Sequence, residues 1–284
     1  MMNTFWQRTI RIALIVAAAV SLFAFGIGRA TARSADRAIT IYLGFDDGPA
    51  PSLTDSILDT LKKYNVKATF FIEGGHIHGN EYLLQREIRE GHHIGNMLVS
   101  HEMNVYSTNH PKTDVLLKAY YATEAAINAA LGPQLSAIYN AEEPIKPFRW
   151  PGGAIHALPL PVITYNWNVT VGDDVPGGIT AQQVIENAMY GYPLDHYYGV
   201  FAWGDGAVVL LHDESKATVA ALPLMLKNLQ AYGVQFGTLP RLGDLPGTMP
   251  IKIGDAPACS HRAGNCRFAY FQYPLKYPLP NRTA

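Results

Sequence analysis

The chain has 284 residues, which suits one catalytic-sized domain with short ends, and 48% of them are hydrophobic, which excludes an intrinsically disordered protein. Its 22 basic and 23 acidic side chains leave a formal net charge of -1. This balance provides no basic field for nucleic acid or for an anionic membrane surface, so nucleic acid is not an expected partner.

The first 32 residues differ in composition from the rest of the chain. Arg8 and Arg11 precede an uncharged apolar run over residues 12–28, and small residues follow at 30–32. This order is typical of a signal peptide that is cleaved near Ala32. A single uncleaved membrane anchor is the alternative, although the run is short for a span, which needs about 20 residues. Both interpretations predict a protein that is periplasmic, secreted or anchored on the extracytoplasmic side.

Residues 39–240 alternate short apolar runs with amphipathic ones, as strands and helices do. The pattern predicts seven strands, over 38–45, 67–74, 92–96, 146–150, 162–171, 207–213 and 234–239. It predicts five helices between them, over 52–66, 81–91, 115–132, 180–191 and 222–233.

Strands that alternate with helices of this length pair in parallel through right-handed crossovers. We therefore expect the α/β class and a distorted (β/α) barrel over residues 39–240.

Residues 241–284 are rich in Pro and Gly, which predicts a tail on the surface of that domain. Cys259 and Cys266 lie in this tail, and export predicts a disulfide between them. The alternative, a zinc knuckle with His261, falls short of four ligands.

Chemistry in such barrels collects at the C-terminal ends of the strands, where this sequence has acids, bases and a cation. Each of these residues has an ordinary explanation when taken alone, as a turn residue, a buried histidine or an ion pair. Their convergence on one face predicts an active site. In chain order they are Asp46 and Asp47, His101, Arg149 with Gly152 and Gly153, Asp173, and His212 with Asp213.

These strand ends resemble the motifs of the polysaccharide deacetylases of carbohydrate esterase family 4, also called the NodB homology domain. The motifs stand in the family's order as GFDDGP at 44–49, GHHIGNMLVSH at 91–101, RWPGG at 149–153, TVGDD at 170–174 and LLHD at 210–213. The resemblance implies an exported, metal-dependent hydrolase of amide bonds that removes acetyl groups from N-acetylated, or O-acetylated, sugar polymers. It does not say which polymer is attacked.

The resemblance also implies the catalytic roles. Asp46 would be the general base that takes a proton from water, and His212 would be the general acid that protonates the leaving amine. Arg149 would hold Asp46 in place and keep it ionised. Asp173 would pair with Arg149 or orient His212.

The metal site departs from the family because Met97 stands where the family has its first metal-binding histidine. The resemblance therefore implies a divalent metal, expected to be zinc, that Asp47 and His101 hold weakly. The spacing of Met97 and His101 predicts that they face one site across a helical turn. Waters, or His76 or His78 from the loop after the second strand, would complete the ligands, although both histidines also fit solvated loop positions. The alternative function is a carbohydrate-binding member of the same fold that has lost activity.

Three residues are implied to contact the substrate. The N–H of Gly152 would help to hold the oxyanion, Trp150 would add a stacking surface for a sugar, and Leu210 would line the site. Asp174 replaces the family's tryptophan, which removes an apolar wall from the acetyl pocket. The aromatic insertion at 190–206 either binds sugar rings or packs against the domain.

Overall fold

The computed structural model describes residues 39–103, 111–142, 144–153, 162–192 and 198–240. The predicted signal peptide, the tail and both cysteines lie outside these ranges, so the division of the chain at residues 32 and 240 stays a prediction. Within these ranges, no helix combines the length and the hydropathy that a membrane span requires.

The described residues form strands and helices in alternation around one sheet of eight strands. The strands are β1 (Thr40–Gly48), β2 (Thr69–Ile72), β3 (His93–Asn96), β4 (Lys146–Phe148), β5 (Val162–Thr164), β6 (Val169–Thr170), β7 (Val208–His212) and β8 (Gln235–Gly237). The helices are α1 (Leu53–Tyr64), α2 (Glu81–Arg89), α3 (Thr113–Glu142), α4 (Ala181–Tyr190), α5 (Val200–Trp203) and α6 (Lys216–Ala231).

The sheet runs in the order β5-β4-β3-β2-β1-β7-β6, with β8 beside the start of β1, and its described pairings are parallel. Helices pack on the outside. Ile57, Leu58 and Leu61 of α1, for example, are fully buried on one helix face, as the 3.6-residue period requires. This confirms the α/β class and the distorted barrel that the alternating pattern predicts.

The prediction of one strand over residues 162–171 is wrong. Two short strands, β5 and β6, lie at opposite edges of the sheet, and the four residues between them cross the barrel opening. The N–H of Tyr165 donates to the carbonyl of Phe148 at 2.8 Å, whereas the N–H of Asn168 donates to the carbonyl of Val208 at 3.2 Å. A continuous apolar and aromatic run predicts strand geometry but does not reveal that its two halves pair with different neighbours.

Two helices differ from the predicted bounds. Helix α6 begins at Lys216 rather than at residue 222, because the Ser215 side chain caps it by accepting from the N–H of Thr218. Helix α3 continues to Glu142 beyond the predicted end at Gly132, where a φ of 68° breaks it into two segments.

Residues 200–206 of the aromatic insertion lie at the start of β7, at the opposite end of that strand from His212. Helix α5 precedes β7, and the N–H of Gly206 donates to the carbonyl of Thr40 at the start of β1. The ring of Phe201 packs edge-on against Tyr232 at 4.9 Å between centroids. Packing rather than sugar binding therefore accounts for this part of the insertion.

Candidate active site

Asp46, near the end of β1, is held by a buried arginine. Its Oδ1 accepts a hydrogen bond from Arg149 Nη1 at 2.5 Å, and both side chains are almost completely buried. Arg149 also donates from Nε to the carbonyl of Tyr165 at 2.8 Å and lies 4.0 Å from the centroid of the Phe71 ring. These contacts fix the guanidinium, so the carboxylate that it binds is fixed as well.

The environment of Asp46 brings its pKa close to neutrality. Burial raises the pKa to about 6, although the nearby charges of Arg149 and His212 oppose that effect. A carboxylate with such a pKa is a stronger base than an ordinary aspartate and is still ionised at pH 7.

His212, at the end of β7, is oriented by Asp173. Its Nδ1 lies 2.8 Å from Asp173 Oδ1, and its backbone N–H donates to Asp173 Oδ2 at 2.9 Å. The hydroxyl of Thr218 donates to the same carboxylate. Of the two partners that the sequence offered for Asp173, the structure places His212 against it.

The pKa of His212 is raised to about 10. Burial alone lowers it, but the hydrogen bond and the charge of Asp173, together with the charges of Asp46 and Asp47, outweigh burial. The imidazole is therefore protonated at neutral pH, with Nε2 facing Asp47 Oδ2 at 3.7 Å. A protonated histidine is able to act as an acid.

Asp47 lies at a bulge near the end of β1, directly after Asp46. Its φ is 73°, a region that residues other than glycine rarely adopt, and the pairing of β1 with β2 shifts register between Asp46 and Gly48. A side chain at Gly48 would meet Asp213 Oδ2 at 2.0 Å, and Asp213 itself accepts from the hydroxyl of Thr54 at 2.7 Å. Gly48 is thus required where the end of β1 packs against the buried Asp213, and this packing presents Asp47 to the site.

His101 and a residue that the sequence analysis missed, Glu73, lie beside Asp47. His101 Nδ1 is 3.2 Å from Asp47 Oδ1 and 3.8 Å from Glu73 Oε1. The hydrogen bond from His101 and the charge of His212 lower the pKa of Asp47, although burial, the largest single influence, acts in the opposite direction. One potential ligand atom from each of Asp47, Glu73 and His101 falls within 4.8 Å of the others.

Glu73 has an environment that suits a metal ligand. It is 4% exposed, and its Oε1 is buried without a hydrogen-bond partner in the part of the chain that the structure describes. Burial, followed by the charge of Asp47, raises its pKa to about 7. A buried carboxylate oxygen without a partner is unfavourable, and a divalent cation would satisfy it. Two carboxylates and one imidazole are an ordinary donor set for such a cation, so the site fits a divalent metal.

The sequence contained a signal for Glu73. It directly follows β2, whose C-terminal end lies at the same edge of the sheet as that of β1. The predicted strand extended through residue 74, which made Glu73 part of a strand and hid its place at the strand end.

The predicted helical pairing of Met97 with His101 is wrong. Strand β3 ends at Asn96 and a short 3₁₀ turn begins only at His101, so the residues between them are not helical. Leu98 has a φ of 62°, and its N–H donates to Asn96 Oδ1 at 2.8 Å. Met97 is 1% exposed and packs with Phe71, Tyr165 and Leu239. The turn, and not a helix, brings His101 to Asp47.

The two loop histidines are in different positions. His76 Nδ1 is 2.7 Å from the carbonyl oxygen of Asp47 and 3.8 Å from Glu73 Oε2, so it borders the site. The side chain of His78 is fully exposed and lies 3.8 Å from Glu81 Oε1. His78 is thus a solvated loop residue, whereas His76 contacts the backbone of a predicted ligand.

The structure corrects one of the three predicted substrate contacts. Trp150 is 1% exposed, because its indole packs edge-on against Phe148 at 5.0 Å and lies in a cluster with Leu98 and Tyr120. Contrary to the prediction, it has no face free to stack on a sugar. Gly152 is exposed with a φ of 66°, and Leu210 is two residues before His212 on β7 and therefore on the same face of that strand.

Comparison with known proteins agrees with the motifs. Residues 33–164 match the model of a family described as polysaccharide deacetylase. The chain is 34% identical over 209 residues to the peptidoglycan-N-acetylglucosamine deacetylase PgdA of Listeria monocytogenes, which is 71% of this chain and 38% of that protein. It therefore spans well under half the length of that relative.

Solved structures show the same fold. The peptidoglycan deacetylase PdaC of Bacillus subtilis aligns with a TM-score of 0.56 and 25% identity, over 72% of this chain and 89% of that chain. A family 4 acetyl xylan esterase of Clostridium thermocellum, in complex with a cobalt ion, aligns with a TM-score of 0.56 and 28% identity, over 70% of this chain and 88% of that chain.

Proposed function

Because the chain belongs to the polysaccharide deacetylase family, we propose that it is a metal-dependent hydrolase that releases acetate from an N-acetylated sugar polymer. The observation that carries this proposal is the placement of Asp46 and His212. They are Cα partners across the parallel pair β1 and β7, and each is held by its own buried group, Arg149 or Asp173. A base and an acid thus stand side by side with opposite protonation states at neutral pH.

Amide hydrolysis needs both groups. Asp46 takes a proton from the attacking water, and Arg149 keeps its carboxylate in one orientation. His212 gives its Nε2 proton to the nitrogen of the leaving sugar amine, and Asp173 stabilises the imidazolium before that transfer. Asp47 and His101 would hold a divalent metal, which would supply Lewis acidity toward the amide carbonyl and the water. We expect this metal to be zinc or another first-row divalent ion.

The substrate class follows from the family and from the residues around the base and the acid. We propose a polymer or oligomer that contains N-acetylglucosamine, since the Listeria relative is named for that sugar in peptidoglycan. Leu210 would contact the acetyl methyl group, and the N–H of Gly152 would donate to the oxyanion. Such polymers lie outside the cytoplasm, which agrees with export directed by residues 1–32. Mass spectrometry of the exported protein's N-terminus tests this, and an N-terminus near residue 33 is expected.

A carbohydrate-binding protein without turnover is not favoured. That alternative rests on the loss of a histidine at Met97, but Glu73 adds a buried carboxylate beside Asp47 and His101. The base, the acid and their orienting groups are also in place, and sugar binding alone requires none of them.

Acetate release tests the function. The purified protein, supplied with Zn²⁺, Mn²⁺ or Co²⁺, is incubated with chitin oligomers, peptidoglycan, acetylated xylan and an acetylated exopolysaccharide. We expect acetate from at least one N-acetylglucosamine polymer, and Asp46→Asn should abolish it without loss of fold. The matched control is Asp59→Asn, a change at a side chain that is 72% exposed and distant from the site. Undiminished release from Asp46→Asn would rule out the mechanism.

A further inference from the structure

Glu73 and Met97 lie next to each other on neighbouring strands, just beyond the strand ends. The last Cα pair of β2 and β3 is Ile72 with Asn96, so the next pair in register is Glu73 with Met97. The N–H of Met97 donates to the carbonyl of Ile72 at 3.0 Å, which extends this register to Met97. The register shifts by one residue only after this pair, where the N–H of Gly74 donates to the carbonyl of Leu98 at 2.8 Å. Glu73 therefore stands beside the position where the resemblance places a histidine.

The two side chains also face the same side of the sheet. Phe71 packs with Met97 in one cluster, and Glu73 follows Phe71 by two residues, which directs it to the same face of the strand. Glu73 extends from this face toward Asp47 and His101, whereas Met97 remains in the apolar cluster beneath them. Met97, whose thioether lies in the core, and Glu73, whose carboxylate lies at the site, are therefore neighbours across the two strands.

We propose that Glu73 takes over the ligand role of the missing histidine, so that the metal is held by Asp47, Glu73 and His101. Three observations on Glu73 support this. Its side chain is 5% exposed, its Oε1 has no hydrogen-bond partner within the described ranges, and that same atom is the one that faces His101. This assignment adds a third metal ligand to the proposed function. It rests on that function, because the proposed hydrolysis is what requires the metal.

The donor set changes the metal preference. Two carboxylates and one neutral imidazole form a harder and more negatively charged set of ligands than one carboxylate and two imidazoles. Carboxylate oxygens suit Mn²⁺, whereas imidazole nitrogens suit Zn²⁺. The affinity for Mn²⁺ relative to Zn²⁺ should therefore be higher than at a site built from one aspartate and two histidines.

His76 is the competing ligand, since it also borders the site. Its Nδ1 is 2.7 Å from the Asp47 carbonyl oxygen, and its side chain is 46% exposed. It does not belong to the group whose ligand atoms converge among the described residues. We therefore assign His76 to supporting the backbone of Asp47 and not to the metal.

Metal titration tests the assignment without any measurement of activity. Chelator-stripped full-length protein is titrated separately with Mn²⁺ and Zn²⁺ by calorimetry, and thermal unfolding is recorded with and without each metal. Glu73→Gln should weaken both affinities by more than about 100-fold, beyond the effect of removing an outer partner. It should also abolish the metal-induced rise in Tm. The matched control is Glu186→Gln, at an exposed glutamate on α4 that accepts a hydrogen bond from Gln182 Nε2 at 2.9 Å, and its affinities should equal those of the wild type.

A double variant adds a test in which metal binding is regained rather than lost. Glu73→Gln/Met97→His moves the third ligand to the adjacent strand, and it should bind Zn²⁺ again with a Mn²⁺ to Zn²⁺ affinity ratio lower than that of the wild type. Unchanged affinities in Glu73→Gln would overturn the assignment, as would loss of metal in His76→Ala but not in Glu73→Gln. Metal binding that depends on Glu73 in a protein that releases no acetate would contradict the proposed function alone.

Discussion

Asp46 and His212 are direct partners across two parallel strands, and the structure gives them opposite electrostatic surroundings. The carboxylate of Asp46 is bound to a buried guanidinium and the imidazole of His212 to a buried carboxylate. Each therefore has the charge that its proposed role requires before any substrate arrives. The positions of both are set by register in the sheet, and their charges are set by Arg149 and Asp173.

The positioning role of Asp173 predicts the behaviour of Asp173→Asn. The amide cannot supply the charge that keeps His212 protonated, so the pKa of His212 should fall from about 10 toward the ordinary histidine value. We expect kcat to drop at least about tenfold with little change in KM, because the group acts on the acid and not on the sugar. In a pH profile of acetate release, activity of the variant should decline at a lower alkaline pH than that of the wild type. A uniform loss with an unshifted profile would indicate a purely structural role.

The buried pair of Arg149 and Asp46 predicts a strong dependence of stability on both partners. Arg149→Met leaves a carboxylate buried without its cation, and the free energy of unfolding at pH 7 should fall by about 3–5 kcal/mol. The double variant Asp46→Asn/Arg149→Met removes both charges and should be more stable than Arg149→Met alone. Urea unfolding of the wild type, the two single variants and the double variant gives the coupling energy. Additive losses would show that the pair is not coupled.

Much of this arrangement could be predicted from the sequence because the motifs stand at strand ends. Asp46, Asp47, Arg149, Asp173 and His212 each follow a short apolar run, and parallel strands bring such positions to one edge. Their contacts could not be predicted, since pairing Asp173 with His212 rather than with Arg149 depends on side-chain geometry across β6 and β7.

The incorrect predictions have physical causes of the same kind. Glu73 was missed because strand propensity continues past the true end of β2, and Trp150 was expected at the surface because its burial depends on α3 and the turn at Leu98. The strand over 162–171 was predicted as continuous although its halves bond to Phe148 and Val208 on opposite sides of the barrel. These contacts join residues that are distant in the chain, so a local sequence pattern does not predict them.

The buried Glu87 is expected to make the free energy of unfolding depend on pH. It lies on the inner face of α2, is 0% exposed, and neither carboxylate oxygen has a hydrogen-bond partner among residues that the structure describes. Burial, followed by the charge of Asp213, raises its pKa well above the ordinary value of 4.5. The native state therefore binds a proton that the unfolded chain has released. The stabilisation from this bound proton is fully present below pH 4.5, the pKa in the unfolded chain. It is lost as the pH rises through the higher pKa of the native state.

Glu87→Met removes this proton linkage while nearly conserving volume. The stability of the variant relative to the wild type should increase between pH 5 and pH 8, by at most about 1.4 kcal/mol per pH unit. Chemical denaturation at several pH values measures it, with Glu186→Gln as the exposed control whose difference from the wild type stays constant. A difference for Glu87→Met that does not vary with pH would contradict the prediction.

Two tryptophans near the site should respond differently to truncation. Trp150 is buried against Phe148 and Leu98, so Trp150→Ala leaves a cavity and should lower the free energy of unfolding by about 3–5 kcal/mol. Trp167 is only partly buried, lies 5.6 Å from the guanidinium of Arg149, and covers Gly153, where an added Cβ would meet its ring at 2.5 Å. Its indole borders the proposed site, and we expect it, rather than Trp150, to provide a stacking surface for a sugar.

We therefore expect Trp167→Ala to raise KM for N-acetylglucosamine oligomers several-fold with a smaller loss of stability than Trp150→Ala. Trp167→Phe keeps an aromatic face and should restore much of the affinity, which separates stacking from mere filling of space. Steady-state acetate release at a fixed metal concentration and urea unfolding of the same samples provide both readouts. The opposite pattern, with KM raised by Trp150→Ala and unchanged by Trp167→Ala, would mean that the indole of Trp150 leaves the core when substrate binds.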